Sequence, residues 1–150
     1  MKLASACFFG INCKWNGKSR PNKKIIELSK KEVLIPVCPE QLGGQPTPRK
    51  PAGIYGGLGE DVLDGRAKVR AARNGEDLTE DYIKGAEETL KIARLFEIKE
   101  VILKQGSPSC GCGKTFQLDE KLRNHKVEGN GVTAALLKRH GIDVKTQEDL

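Results

Sequence analysis

Three apolar, strand-like runs in this chain lead into a cysteine: Lys2–Ala6 stops at Cys7, Val33–Val37 stops at Cys38, and Val101–Leu103 continues through Lys104-Gln-Gly-Ser-Pro-Ser to Cys110. Between the runs lie segments with helical spacing of apolar residues. Strands alternating with helices predict an α/β fold built on a mainly parallel, Rossmann-like sheet flanked by helices. In an open parallel sheet the carboxyl ends of the strands share one edge, and ligands bind at that edge. Cysteines distant in sequence then converge on one spot, as three thiolates do around a metal cluster. Three protein ligands rather than four leave one metal position open for chemistry.

The elements follow from local pattern. Lys2–Ala6 reads as a buried strand, Cys7–Asn22 as a loop, and Asn22–Lys30 as a short helix carrying Ile25, Ile26 and Leu28. Val33–Val37 is a second strand, rich in β-branched residues. Gly43-Gly-Gln-Pro-Thr-Pro-Arg-Lys-Pro51 is an irregular, stiff loop. Gly65–Ala72 and the turn at Asn74–Asp77 form a small extended excursion. Tyr82, Ile83, Ala86, Leu90, Ala93 and Leu95 mark the clearest helix, with Thr79 as its expected N-cap and Glu80 and Asp81 in its first turn. Glu100–Leu103 is the third strand. Val132–His140 is a helix ended by Gly141, and Ile142–Val144 is the last strand. No hairpin-rich stretch, repeat or linker stands out, so residues 1–150 read as one domain.

Composition narrows the class. Charged residues make up 31% and hydrophobic ones 37%, the balance of a soluble globular chain. No apolar run reaches the roughly 18 residues of a membrane span. The stretch Met1–Gly10 is too short in apolar residues for a signal peptide, so a cytoplasmic location is expected. Five cysteines is an odd number, and without signs of secretion it favours metal binding or catalysis over a disulfide framework. Zinc is a competitor, but Cys110-Gly-Cys112 and Cys7-x5-Cys13 fit its usual paired spacing poorly. With two histidines, His125 and His140, a histidine-based triad has little material. The net charge of +6 comes from scattered basic residues. A solvated surface explains most of them, with attraction to phosphate-bearing substrates or RNA as the second use.

Several polar groups sit beside the cysteines. Cys38-Pro39-Glu40 puts a carboxylate two residues beyond a thiol, where it serves as a general base if the site closes around a metal cluster. Ser107 and Ser109 flank Cys110 and are candidates for proton relay. Gly129-Asn-Gly131-Val-Thr133 opens the last helix with backbone N–H groups suited to an anion or a carbonyl-rich ligand. Arg49, on the Pro-rich loop, is a candidate for a phosphate or carbonyl oxygen.

The segments Ser5-Ala-Cys-Phe-Phe-Gly10 with Trp15-Asn-Gly17, Val37-Cys-Pro-Glu-Gln-Leu-Gly-Gly-Gln-Pro-Thr-Pro-Arg49, Ser107-Pro-Ser-Cys-Gly111 and Gly129-Asn-Gly-Val-Thr-Ala-Ala-Leu-Leu137 together resemble the thiouracil desulfidase family. The likeness runs from about residue 2 to 146. It implies a [4Fe-4S] cluster held by Cys7, Cys38 and Cys110, with one iron free for the substrate's sulfur. It also implies catalytic roles for Glu40 and Ser107, with Ser109 the other hydroxyl of that segment, and hydrolytic removal of sulfur from a thiolated pyrimidine. The substrate is expected to be a small molecule, or a thiolated tRNA. Two segments depart from the family pattern: Lys14-Trp-Asn-Gly17, and Cys112-Gly-Lys-Thr-Phe after the last cysteine block. Cys13 and Cys112 are candidates for a spare ligand or sulfur acceptor. A non-catalytic iron–sulfur or metal-binding module and an RNA-binding domain are the alternatives, and neither gives Glu40 or the serines a task.

Overall fold

In the computed structural model, which describes residues 1–150, the strands fall into two four-stranded sheets. In chain order the strands are β1 (Lys2–Ser5), β2 (Leu34–Val37), β3 (Ala52–Tyr55), β4 (Lys68–Ala71), β5 (Glu100–Leu103), β6 (Lys114–Leu118), β7 (Asn124–Glu128) and β8 (Asp143–Thr146). The helices are α1 (Lys23–Ser29), α2 (Pro39–Leu42), α3 (Gly59–Leu63), α4 (Thr79–Leu95) and α5 (Val132–Arg139). The first sheet has the order β2-β1-β5-β8 and is parallel throughout, with Leu3 opposite Ile35 on one side and Val101 on the other. This is the α/β fold with a mainly parallel sheet that the strand–helix alternation predicts. No helix is long and apolar enough to cross a membrane.

Strand alternation distributes the core. Leu3, Val101, Leu103 and Val144 face α4 and α5 and pack with Leu90, Ala93, Ala134 and Leu137. Their neighbours Ala4 and Ile102 point the other way and pack with Phe8 and Ile25 of the α1 side. Both faces of β1 and β5 are therefore covered, which is why their sequences read as continuous apolar runs. Asn22 caps α1, its side chain accepting from the Ile25 N–H at 3.2 Å.

The second sheet, order β4-β3-β6-β7, departs from the sequence expectation. β3 and β6 are parallel, but β4 runs antiparallel to β3, and β6 and β7 form a hairpin. β4 falls within the extended segment expected at Gly65–Ala72. β3, β6 and β7 escaped notice, β3 because it is short and holds a glycine, β6 and β7 because they are short and half polar. Only Thr115 and Leu118 are buried in β6, and no residue of β7 is. Gly53 in β3 lowers strand propensity, yet its bare Cα is where the Asn124 side chain lies. The hairpin turn is closed by Asp119, whose Oδ1 accepts from the N–H groups of Lys121 and Arg123. A second correction concerns α4: its N-cap is Leu78, while Thr79 is already helical and its hydroxyl accepts from the Val69 N–H at 3.0 Å. Thr79 thereby ties the helix to β4.

Helix α4 lies between the sheets. Tyr82 and Ala86 in its first half pack with Ile54, Val69 and Ala71 of the second sheet, and its second half packs on the first. The short helix α2 rests on α4 through two glycines. A methyl on Gly85 would collide with the Pro39 carbonyl, and one on Gly43 with the Asp81 carbonyl. The backbones touch there, and the contact sets where residues 38–42 sit. Gly85→Ala should gain helix propensity yet lose about 1–3 kcal/mol of stability through overpacking, measured by denaturant unfolding; a stabilised variant would mean that α2 is free to shift.

Candidate functional site

A cavity of about 490 Å³ opens at the carboxyl edge of the parallel sheet, with the second sheet as its opposite wall. Ser5 and Cys7 reach it from the end of β1, Val37, Cys38 and Glu40 from the end of β2, and Lys104, Ser107 and Cys110 from the segment after β5. Its size is within the range of small-molecule sites, roughly 300–1,000 Å³.

Each cysteine is placed by a local device. After β1 the chain enters a single 3-10 turn, Ala6–Phe9, that buries Cys7; the Cys7 carbonyl accepts from the N–H groups of Gly10 and Arg20, folding the loop back. Cys38 is the N-cap of α2 and Pro39 its first residue, which suits a position whose N–H has no helical partner. The turn aims Glu40 at the cavity. Around Cys110, the Ser107 hydroxyl accepts from the N–H groups of Ser109 at 3.1 Å and Cys110 at 3.0 Å. The Ser107 carbonyl accepts from the Gly111 N–H and the Thr115 hydroxyl.

The structure brings Cys7, Cys38 and Cys110 to one cavity and adds Cys13, which is buried beside Cys7 and Cys38. The Cys38 Sγ donates to the Cys13 carbonyl at 3.7 Å, and the Cys110 Sγ donates to Glu40 Oε1 at 3.8 Å. These thiols resist ionisation. Burial, then the charges of Glu40 and Cys38, push Cys110 well above the usual thiol range. The hydrogen bond with Cys13, followed by burial, raises Cys38. For Cys13 the bond accepted from Cys38 acts downward, but the bond donated to Cys7 and burial outweigh it and bring the thiol to about 11. A bound cation relieves this opposition by taking the thiolate form. No three Cys, His, Asp or Glu side chains close on a single point as ligands of one ion would. Cys7, Cys38 and Cys110 on one cavity wall are the donor type that an iron–sulfur cluster takes.

Arg49 is nearly buried, its side chain 3% exposed, and its contacts are internal. Nη2 donates to the Cys13 carbonyl at 2.8 Å and to Glu40 Oε2 at 3.4 Å, while Nη1 donates to Pro46 O and Thr47 Oγ1. Burial opposes its charge, and Glu40 and Cys38 restore it.

Other expected residues lie elsewhere. Ser109 is buried against Thr133, their hydroxyls 2.8 Å apart, and neither lines the cavity. Gly129 and Gly131 donate their N–H groups to Gly113 O and Gly111 O, and the Val132 and Thr133 N–H groups go to Pro108 O and Ser109 O. The start of α5 is thus filled by carbonyls of the Cys110 turn, and a methyl on Gly131 would strike Ser109 O. These residues brace the turn, and the N–H groups of Gly129, Gly131, Val132 and Thr133 are already taken. Cys112 points away, its Sγ donating to Val144 O at 3.5 Å.

The sequence reading missed Ser5, Tyr82 and Lys104. The Ser5 hydroxyl accepts from the Lys104 N–H at 2.9 Å, crossing from β1 to β5 at the edge. Its position at the strand end before Cys7 was the available signal. Tyr82 looked like a core residue of α4 and is one, but it also lines the cavity. Lys104 follows a strand directly, and burial lowers its pKa.

Ser109→Ala should strand the buried Thr133 hydroxyl and cost about 1–3 kcal/mol, read by denaturant unfolding, while leaving the cavity lining intact. Loss of function at unchanged stability would instead put Ser109 in the chemistry.

A family model described as 2-thiouracil desulfurase matches residues 3–149. The uncharacterized protein YbbK of Bacillus subtilis (strain 168) is 47% identical over 150 residues, covering 100% of this chain and 97% of that protein. A solved structure described as the [4Fe-4S]-dependent thiouracil desulfidase TudS superposes with a TM-score of 0.82 at 33% sequence identity, covering 99% of this chain and 91% of the other.

Proposed function

The chain belongs to the 2-thiouracil desulfurase family, and we propose that it removes sulfur hydrolytically from a thiolated pyrimidine, with a [4Fe-4S] cluster held by Cys7, Cys38 and Cys110. The observation that carries this reading is the meeting of those three thiols, from three separate strand ends, with Glu40 and Ser107 on one cavity. Bound there, a cluster with one iron free of cysteine supplies a Lewis-acid position for the thiocarbonyl sulfur. Residues 1–150 act as one catalytic unit in this proposal. With all five cysteines unpaired, a reducing compartment such as the cytoplasm suits it.

The protein groups do the proton work. Glu40 takes a proton from water as the oxygen attacks the ring carbon bearing sulfur. Both lone-pair directions of the Ser107 hydroxyl are used by the Ser109 and Cys110 N–H groups. Its remaining function is donation, and the bonds it accepts strengthen it as a donor. Ser107 therefore gives a hydrogen bond to the ring as charge builds on it. The proton held by Glu40 passes to sulfur as the C–S bond breaks, and the second proton, left on the attacking oxygen, passes to Glu40 as the C=O bond forms and from there to solvent or to the departing hydrosulfide. Thiocarbonyl and water give carbonyl and hydrogen sulfide, a balance that needs no electron donor. Lys14, Arg20, Lys50 and Lys126 also line the cavity, which favours an anionic appendage and extends the substrate reading from thiouracil to a thiouridine nucleotide, free or within tRNA.

Two measurements test this. Cys7→Ala, Cys38→Ala and Cys110→Ala should each lose bound iron after anaerobic reconstitution, whereas Cys112→Ala, facing Val144, should keep it; the reverse pattern would overturn the ligand set. Glu40→Gln should retain iron and the visible spectrum yet lose on the order of 10²–10⁴-fold in turnover of 2-thiouracil. Full activity in that variant would remove Glu40 from the mechanism.

A further inference from the structure

We infer that Arg49 is a positioning residue for Glu40 and the Cys13 loop, with no direct hand on the substrate. The inference rests on the role proposed for Glu40. A substrate-binding arginine keeps its fork free, because its value lies in two parallel bonds to an incoming oxyanion or carbonyl. Here both terminal nitrogens are already used by protein acceptors, and the side chain is 3% exposed. Nη2 in particular is shared between the Cys13 carbonyl and the carboxylate. The guanidinium therefore spans three segments that sequence separates: the loop after β1, the turn at α2, and the Pro-rich loop, whose Thr47 hydroxyl also accepts from Gln41 of α2. The Arg49 N–H in turn donates to Trp15 O at 2.8 Å, so main chain and side chain grip the same loop.

The Cys13 carbonyl accepts from two donors, Arg49 Nη2 and the Cys38 thiol. Glu40 likewise has two side-chain donors, Arg49 Nη2 on Oε2 and the Cys110 thiol on Oε1. Arg49 is the residue common to both, so it fixes the carboxylate relative to the Cys13 loop. Glu40 reaches the reacting carbon from a fixed direction, and misplacing such a group by about 1 Å costs on the order of 100-fold in rate.

The experiment compares Arg49→Gln, Arg49→Lys, Glu40→Gln and the Arg49→Gln/Glu40→Gln double variant, each reconstituted and assayed for iron and for 2-thiouracil turnover. Arg49→Gln should lower kcat by about 10–100-fold at near-constant KM and full iron content. Arg49→Lys should fall between it and the wild type. The double variant should match Glu40→Gln within about twofold, since a base that is absent needs no positioning. A raised KM with kcat preserved, or losses that multiply in the double variant, would show a substrate hand or an independent role and overturn the inference. Iron-deficient Arg49 variants would also overturn it, by making the residue a scaffold for the cysteines. Amide hydrogen exchange on cluster-free protein gives a reading separate from catalysis. Arg49→Gln should speed exchange at residues 13–20 and 39–45 by about tenfold or more, and unchanged protection would sink the inference even if the protein proved to have no desulfidase activity. Absence of wild-type turnover, or an unimpaired Glu40→Gln, would defeat the functional proposal itself.

Discussion

The rest of the site is arranged around one unfavourable concentration of groups: cysteine thiols and a carboxylate packed at the edge of a parallel sheet, largely out of water. Cys7, Cys13 and Cys110 are buried, and Cys38 and Glu40 are mostly covered. Ionisation of Cys38 and of Cys110 is opposed by burial and by neighbours that carry, or could carry, negative charge. The protein meets this with one buried guanidinium, thiol hydrogen bonds to a carbonyl and a carboxylate, and a half-buried lysine across the cavity. Such a nest is held together by its surroundings. The Gly43–Gly85 contact seats α2, the Ser107 hydroxyl shapes the Cys110 turn, and the first turn of α5 spends its N–H groups on that turn's carbonyls.

The parallel sheet was legible because its strands are covered on both faces and so carry uninterrupted apolar residues, Leu3 and Ala4 in β1 and Val101-Ile-Leu103 in β5. The second sheet was not, since β6 and β7 are mostly solvated and carry polar residues that no periodicity separates from loop. The N-cap of α4 was misplaced by one residue because the Thr79 hydroxyl serves the Val69 N–H of a neighbouring strand, a tertiary demand that local pattern does not contain.

At the site, residues reached from strand ends were legible: Cys7, Cys38, Glu40 and Cys110 all line the cavity. The glycine-rich approach to α5 looked the same in sequence whether its N–H groups meet a ligand or a carbonyl. Only the fold shows that Pro108, Ser109 and Gly111 occupy them. Ser107 and Ser109 were likewise indistinguishable by type, and the fold separates them: Ser107 lines the cavity, while Ser109 pairs with Thr133 behind it. Cys13 and Cys112 were both named as spare candidates, and nothing in their spacing separated them: the turn that returns Cys13 to Cys7 depends on carbonyl contacts such as Arg20 N–H to Cys7 O, while Cys112 faces Val144.

The central claim is that this cavity exchanges sulfur for oxygen by hydrolysis, with residues on its wall moving the protons. Turnover of 2-thiouracil by anaerobically reconstituted protein in oxygen-18 water, without any reductant, tests it most directly. The account predicts one heavy oxygen in each uracil formed and one hydrosulfide released per turnover. Unlabelled uracil, or turnover that stops unless an electron donor is added, would contradict it.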